Sequence, residues 1–221
     1  MLRPGEPRLT ALPLRPVVDV RLSPSERAHV TLALIALLVV VTLVYLPGLT
    51  GPFVFDDYPN IVNNPAIAVD SLNATQLGHA TLSNERGTFG RPLAKLSFAL
   101  NYYLAGGFAD AYWFKATNLI IHLVNTVLVF WLAQLLLARH QSYPSRHPLD
   151  VRNARWLPVI VAAVWSLHPL NLSTVLYVVQ RMTSLAALFV LAGLIAFTYG
   201  RCLLQQRNPH GTKLIWIGLL G

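Results

Sequence analysis

Residues 30–46 read VTLALIALLVVVTLVYL, an apolar run without a charged side chain. An α-helix rises 1.5 Å per residue, so this run and its flanks approach the roughly 30 Å hydrocarbon core of a bilayer. The composition agrees, because the 221-residue chain is 54% hydrophobic and 12% charged, with a mean hydropathy of +0.51. Such a chain is too apolar for the surface of a soluble globular protein. We therefore expect an integral membrane protein whose first transmembrane helix lies at residues 30–47.

Further apolar runs predict the rest of the architecture. A second run begins at Tyr112, Trp113 and Phe114, a cluster typical of a membrane interface. The expected fold class is all-α, a multi-pass transmembrane helical bundle of about four full spans plus the start of a fifth. The expected segments are a basic cytoplasmic leader (1–29), the first span (30–47), a long extracytoplasmic loop (48–112), the second span (113–137), a cytoplasmic loop (138–154), the third span (155–168), an outer turn with the fourth span (169–200), a cytoplasmic loop (201–213) and the truncated start of a fifth span (214–221).

The distribution of charge predicts the orientation in the membrane. The net charge is +8, and basic residues concentrate in the leader and in the loops at 138–154 and 201–213. Lysine and arginine are retained on the cytoplasmic side, which puts the N-terminus inside and loop 48–112 outside. Because the basic residues do not form one face with aromatic residues, we expect no nucleic-acid partner. The single cysteine, Cys202, excludes an internal disulfide and a cysteine-based metal site.

The outer loop contains one helical pattern. Pro92 suits the first position of a helix, and apolar residues then recur at spacings of three and four. This pattern predicts an amphipathic interfacial helix that lies on the outer leaflet, with an apolar face of Leu93, Leu96, Leu100, Tyr103 and Leu104.

Two adjacent carboxylates, Asp56 and Asp57, follow the first span within the sequence FVFDDYPN at residues 53–60. Low dielectric and a neighbouring negative charge raise the pKa of a carboxyl group, which suits a general base that works near neutral pH. The same residues are also good turn and capping chemistry. Composition alone leaves both interpretations open.

Three cations are candidate anion ligands. Arg91 and Lys95 lie one helical turn apart at the start of the loop helix, where a phosphate could lie between them, although both could instead reach lipid headgroups. Arg181 is expected about two turns inside a helix that starts near Ser173. An arginine at that depth pairs or binds something, unless it only marks the interface.

A polar stripe runs along the second span. Asn118, His122 and Asn125 fall on one face of the helix at 100° per residue. Hydrogen bonds between helices explain such a stripe, and a proton relay or a metal site is the alternative.

Four segments in this order resemble a known family. They are FVFDDYPNIVNNP (53–65), GRPLAKLSFALNYYLAG (90–106), KATNLIIHLVNTVLVFWL (115–132) and WSLHPLNLSTVLYVVQRMTSLAALF (165–189). The constellation is similar to the N-terminal membrane region of protein O-mannosyltransferases of the TMTC type and their bacterial relatives, which carry tetratricopeptide repeats behind a GT-C glycosyltransferase fold. The His-Pro turn departs from the common pattern of a second histidine and an acidic residue, because Asn171, Ser173 and Thr174 stand there.

The resemblance implies an activity. The donor would be a polyprenyl-phosphate-linked sugar, the acceptor a protein or glycan hydroxyl, and no metal or other cofactor would take part. Asp56 or Asp57 would be the catalytic base, and the lipid phosphate would be held by Arg91, Lys95, His168 and Arg181. The motif variant suggests a bacterial inner membrane. The later helices of the family are missing, so the chain is expected to be a fragment that is inactive by itself. The competing hypotheses are a transporter or flippase component and a non-catalytic membrane assembly module.

Overall fold

The computed structural model describes residues 23–82, 91–141, 154–205 and 210–220, all helix, turn and loop without strands. The expected leader therefore lies mostly outside the described residues, as do most of loop 138–154 and part of loop 201–213. The described helices are α1 (Pro24–Tyr45), α2 (Ala74–Leu82), α3 (Pro92–Ala105), α4 (Tyr112–Gln141), α5 (Leu157–Ser166), α6 (Asn171–Leu176), α7 (Arg181–Gln205) and α8 (His210–Leu220). The all-α prediction is confirmed.

Three segments are long and apolar enough to cross a membrane: Pro24–Gly48, Tyr112–Arg139 and Val178–Leu204. They correspond to the first, second and fourth expected spans. The expected third span is the helix α5, which has only 10 residues. Its length of about 15 Å is half of a hydrocarbon core.

The bundle is organised around α4, which packs against α1, α5 and α7. One apolar core joins these helices through buried side chains that include Val41 of α1, Leu119 and Phe130 of α4, and Ala162 of α5. Where α1 and α5 begin, Arg155 forms an ion pair with Glu26. At the other end, α1 finishes and α4 and α7 begin. We call this second end the site end, because Asp56 and Asp57 lie there.

The described part of the loop between α1 and α4 folds into a cap on the site end, with a second apolar core that it shares with the starts of α4 and α7. Phe53 makes edge-to-face contacts with Phe108 and Phe114, at ring centroid distances of 6.2 and 5.5 Å. The prediction of a helix after Pro92 is confirmed, with Pro92 in its first turn. Leu93, Tyr103 and Leu104 are exposed along this helix, whereas Leu96 and Leu100 are half-buried. The apolar face expected to meet the outer leaflet is therefore only partly covered by the rest of the described chain.

The fourth expected span is interrupted, and this corrects the expected position of Arg181. Helix α6 ends at Leu176. The next residue, Tyr177, has an extended backbone (φ −99°, ψ 110°), and a 3-10 turn at Val178–Gln180 leads into α7. Arg181 is thus the first residue of α7 rather than a residue two turns inside a helix. The break persists because side chains take over the freed backbone groups: Asn118 Nδ2 donates to the carbonyl oxygens of Tyr177 and Val178, each at 3.3 Å.

Glycines bring α7 and α8 into close contact. A Cβ atom added to Gly211 of α8 would lie 2.7 Å from the carbonyl oxygen of Gly200 of α7, and one added to Gly218 would lie 2.6 Å from the carbonyl oxygen of Gly193. Small residues allow helix backbones to approach each other within a membrane. The start of the expected fifth span is therefore packed along α7.

Candidate active site

Asp57 is a buried carboxylate that bonds to backbone on both of its oxygens. Its side chain is 0% exposed. Its Oδ2 accepts the N–H of Val54 at 3.0 Å, and its Oδ1 accepts the N–H of Val179 at 2.7 Å. Burial raises the pKa of the Asp57 carboxyl above its usual value, although these hydrogen bonds and the Lys115 ammonium oppose the shift. Asp57 thus ties the cap loop to the helix break before α7.

Asp56 is exposed, in contrast to its neighbour. Its backbone N–H donates to the Tyr177 hydroxyl at 2.9 Å. The residue before it, Phe55, has a positive φ of 43° and a side chain that is 84% exposed. A positive φ is strained for a residue with a Cβ atom, and it marks a sharp change of backbone direction at Phe55. The two consecutive carboxylates thus lie in different environments, with Asp57 buried and Asp56 exposed.

Lys115 is a buried cation of this site. It lies near the start of α4, and its Nζ donates to the carbonyl oxygens of Gly51 at 2.9 Å and Gly48 at 3.5 Å. Its positive charge also acts on the Asp57 carboxylate. Lys115 thus holds the chain that leaves α1 and offsets part of the charge buried at Asp57.

Arg181 is fully buried, at 0% exposed, and all of its N–H groups face protein. Nε donates to Asn118 Oδ1 at 2.8 Å, Nη2 to Asn101 Oδ1 and the Phe114 carbonyl at 2.8 Å each, and Nη1 to the carbonyl and hydroxyl of Ser97 at 3.1 and 3.3 Å. The guanidinium carbon lies 4.5 Å from the centre of the Phe98 ring. A guanidinium has five N–H donors, and these bonds use them all. Arg181 therefore joins α7 to α3 and α4 without a carboxylate partner.

Arg91 lies at the surface near the start of α7. It is the N-cap residue of α3, and its Nη1 lies 2.9 Å from the sulfur of Met182. A thioether is a weak acceptor, so the remaining donors of this exposed guanidinium can bind an anion. Lys95 is half-buried one turn further along α3. Both residues lie at the start of α3, Arg91 as its N-cap, and their joint role as phosphate ligands stays a prediction.

His168 lies apart from these groups, in the turn between α5 and α6. Its Nδ1 accepts the N–H of Leu170 at 3.2 Å, so in the neutral ring Nε2 carries the proton. It lines a shallow groove of about 580 Å³ with Ile160, Val161, Val164, Trp165, Leu170 and Asn171. This lining contains neither aspartate and none of the three other predicted phosphate ligands.

The polar stripe of the second span joins helices, as the simpler interpretation expects. His122 Nε2 lies 3.0 Å from the carbonyl oxygen of Ser166, and Asn125 Nδ2 donates to the carbonyl oxygen of Ser184 at 2.9 Å. Asn118 contacts Arg181 and the helix break. Among the residues that the structure describes, no group of three or more His, Cys, Asp or Glu side chains could hold a metal ion.

The site end therefore assembles part of the predicted set. Asp57 binds the N–H of Val179 within the helix break, and Arg181 is the first helical residue after it. Asp56 contacts Tyr177 at the same break, and Arg91 contacts Met182 just beyond it. Sequence reasoning missed Tyr177 and Lys115. Lys115 could have been found, because it lies three residues before Asn118 and so extends the polar stripe by one step.

Comparison with known proteins confirms the resemblance that the four segments carry. The human protein O-mannosyl-transferase TMTC3 is 30% identical over 195 residues, which are 86% of this chain and 19% of that protein. The human protein O-mannosyl-transferase TMTC4 is 29% identical over 174 residues, 76% of this chain and 23% of that protein. The Drosophila melanogaster protein O-mannosyl-transferase Tmtc2 is 31% identical over 144 residues, 63% of this chain and 14% of that protein.

The chain thus spans about a fifth of the length of the two human relatives. No protein-family model matches it, and no solved structure is similar to it.

Proposed function

We propose, from the similarity of most of this chain to a part of the TMTC protein O-mannosyl-transferases, that it forms part of the active site of a membrane glycosyltransferase. In this proposal the enzyme transfers mannose from a polyprenyl-phosphate donor to a hydroxyl group of a protein on the extracytoplasmic face. The observation that carries the proposal is the separation of the two aspartates at the site end. It provides one exposed carboxylate that can accept a proton. The other carboxylate is buried and holds the loop in place through its hydrogen bonds.

Asp56 is the base in this mechanism. Its carboxylate is exposed, whereas both oxygens of Asp57 already accept backbone N–H groups. The Asp56 carboxylate takes the proton of the acceptor hydroxyl while that oxygen attacks the anomeric carbon of the sugar. The bond between the anomeric carbon and the phosphate oxygen breaks, and the polyprenyl phosphate leaves with the electron pair.

Arg91 is the cation best placed to stabilise that leaving phosphate. It is exposed, contacts the first turn of α7 through Met182, and precedes the N-terminus of α3, where the helix dipole favours negative charge. Because the N–H groups of Arg181 all donate to protein acceptors, we assign Arg181 the positioning of α3 against α7. Contacts of Lys95 and His168 with the lipid phosphate remain predictions.

Membrane orientation follows from the same proposal. The arginine-rich leader lies on the cytoplasmic side, so that the site end faces outward. A bacterial inner membrane remains a prediction from the motif variant, because the relatives described above are animal proteins.

The test is sugar transfer by the full-length protein that contains this chain, reconstituted with polyprenyl-phosphate-linked mannose and a serine-rich or threonine-rich peptide. Asp56→Asn should reduce transfer by at least about a hundredfold, which is the size of a general-base contribution. Asp70→Asn is the matched control, since Asp70 is another exposed carboxylate of the cap. Equal transfer by Asp56→Asn and the wild type would remove the proposed mechanism.

A transporter component is the second candidate. A transporter is expected to contain a discontinuous helix, and the chain is interrupted between α6 and α7. The freed backbone groups at this break bond to Asn118 and Asp57. The break is therefore explained without a transported substrate, and the glycosyltransferase is the better-supported function.

A further inference from the structure

We propose that Tyr177 is a positioning residue that sets the direction of the Asp56 carboxylate. The inference rests on the proposed function, since it assigns a role to the neighbour of the proposed base. Tyr177 lies far from the Asp-Asp pair in sequence, and the fold brings its hydroxyl to the backbone of Asp56.

The contact between these residues uses only part of the hydroxyl. The Tyr177 oxygen accepts the N–H of Asp56 at 2.9 Å. A phenolic hydroxyl can accept and also donate, so its own proton stays available. Because the hydroxyl already holds the backbone of Asp56, this proton can be donated to the carboxylate of the same residue.

Charge and burial keep that proton in place. Burial is the main factor that raises the pKa of the Tyr177 hydroxyl above its usual value, and the negative charges of Asp56 and Asp57 raise it further. An unperturbed tyrosine is already protonated at neutral pH. Tyr177 is therefore a hydrogen-bond donor throughout the range in which a carboxylate base works.

The helix break fixes Tyr177 itself. Its backbone N–H donates to the carbonyl oxygen of Ser173 at 3.0 Å, and its carbonyl accepts from Asn118 at 3.3 Å. Two residues further on, the N–H of Val179 binds the Asp57 carboxylate at 2.7 Å. The two aspartates are thus attached to one short stretch of the chain, Asp56 through the Tyr177 side-chain hydroxyl and Asp57 through the Val179 backbone N–H.

This arrangement has a consequence for catalysis. An exposed aspartate on a loop samples several side-chain conformations, and only some of them direct the carboxylate at an acceptor. A displacement of about 1 Å in a reacting group can lower the rate of an enzyme about a hundredfold. The hydroxyl of Tyr177 restricts Asp56 without contacting the sugar, so it acts through the base.

The experiment is the variant Tyr177→Phe in the full-length protein, assayed for mannose transfer with kcat and KM determined for both substrates. Phenylalanine keeps the ring and removes only the hydroxyl. We expect kcat to fall about ten- to a hundredfold, with both KM values within about twofold of the wild type. Tyr103→Phe, which removes a hydroxyl from an exposed side chain of α3, should leave kcat unchanged.

The remaining outcomes are decisive as well. An unchanged kcat in Tyr177→Phe overturns the inference, and so does a fall in kcat that is matched by an equal loss of folded protein in a thermal unfolding measurement. Asp56→Asn separates this inference from the proposed function. Retained transfer in Asp56→Asn rejects the proposed base, whereas loss of transfer there with an unchanged Tyr177→Phe rejects only the role of Tyr177.

Discussion

Replacement of Arg181 by methionine measures what a buried guanidinium contributes to this fold. Methionine replaces the aliphatic part of the arginine side chain and has no donors, so the amide oxygens of Asn118 and Asn101 lose their bonds to Nε and Nη2. Both asparagines are buried, at 0% and 8% exposed. A buried acceptor that is left without a donor costs about 1–3 kcal/mol, so the two together cost about 2–6 kcal/mol.

The assay has two readouts on the full-length protein in detergent micelles. Thermal unfolding reports stability, and Arg181→Met should lower its midpoint clearly, because a loss of about 4 kcal/mol is a large share of the 5–15 kcal/mol of an ordinary fold. The second readout is thiol labelling of Ala94→Cys in α3, in a background where Cys202 and every other cysteine of the full-length protein are replaced by alanine. Ala94 is buried, so labelling should accelerate when α3 separates from α7.

Arg91→Met is the matched control, since this arginine is exposed. It should leave the unfolding midpoint and the labelling rate unchanged and raise the KM for the polyprenyl-phosphate donor. The opposite pattern would refute the reasoning: if Arg181→Met left both structural readouts unchanged and raised the donor KM, then Arg181 would be a ligand of the lipid phosphate.

Three further predictions concern the cap and the close helix pair. A raised pKa means that Asp57 keeps its proton to higher pH in the folded protein than in the unfolded chain. The stability of the wild type relative to Asp57→Asn should therefore decrease as pH rises from about 3.8 toward the raised value. Unfolding midpoints measured across this pH range test the prediction. Lys115→Met should raise the pKa of Asp57 further, because the ammonium lowers it in the wild type. In the same measurement, the pH range over which the advantage over Asp57→Asn shrinks should therefore extend to higher pH. Gly211→Ala should lower stability by about 1–3 kcal/mol through the clash of its new Cβ with α7, whereas Gly78→Ala, which meets open space, should raise it slightly; equal effects of these two glycine variants would contradict the close packing.

Much of the fold was predictable because its signals are local. The apolar runs, the aromatic residues at the start of α4 and the proline at the start of α3 each act within a few residues of the chain. The polar stripe could also be predicted, because Asn118, His122 and Asn125 recur at helical spacing. Their hydrogen bonds to neighbouring segments agree with that prediction.

The helix break before α7 could not be predicted from its own residues. The sequence STVLYVVQRM at 173–182 contains neither glycine nor proline, so nothing local stops a helix there. The break is stabilised by Asn118 and Asp57, which lie about 60 and 120 positions earlier in the chain. The position of Arg181 was therefore wrong by about two turns, for a tertiary reason.

The division between the two aspartates was also hidden in the sequence. Turn chemistry and base chemistry were alternative interpretations of one pair, and the fold places one residue in each environment. The distinction depends on the hydrogen bonds that Asp57 accepts from Val54 and Val179. Val179 lies 122 positions further along the chain, so the local sequence around the pair does not signal this bond.

The bonding of Arg181 bears on how the chain assembles during synthesis. Its acceptors lie at Ser97, Asn101, Phe114 and Asn118, all of which leave the ribosome before it. When Arg181 reaches the translocon, all of these hydrogen-bond acceptors have already been synthesised. The guanidinium can therefore move from the aqueous channel directly to its acceptors in the protein. If these segments were in the reverse order, the guanidinium would enter the membrane before its acceptors had been synthesised, and its N–H groups would have no protein partners at that stage.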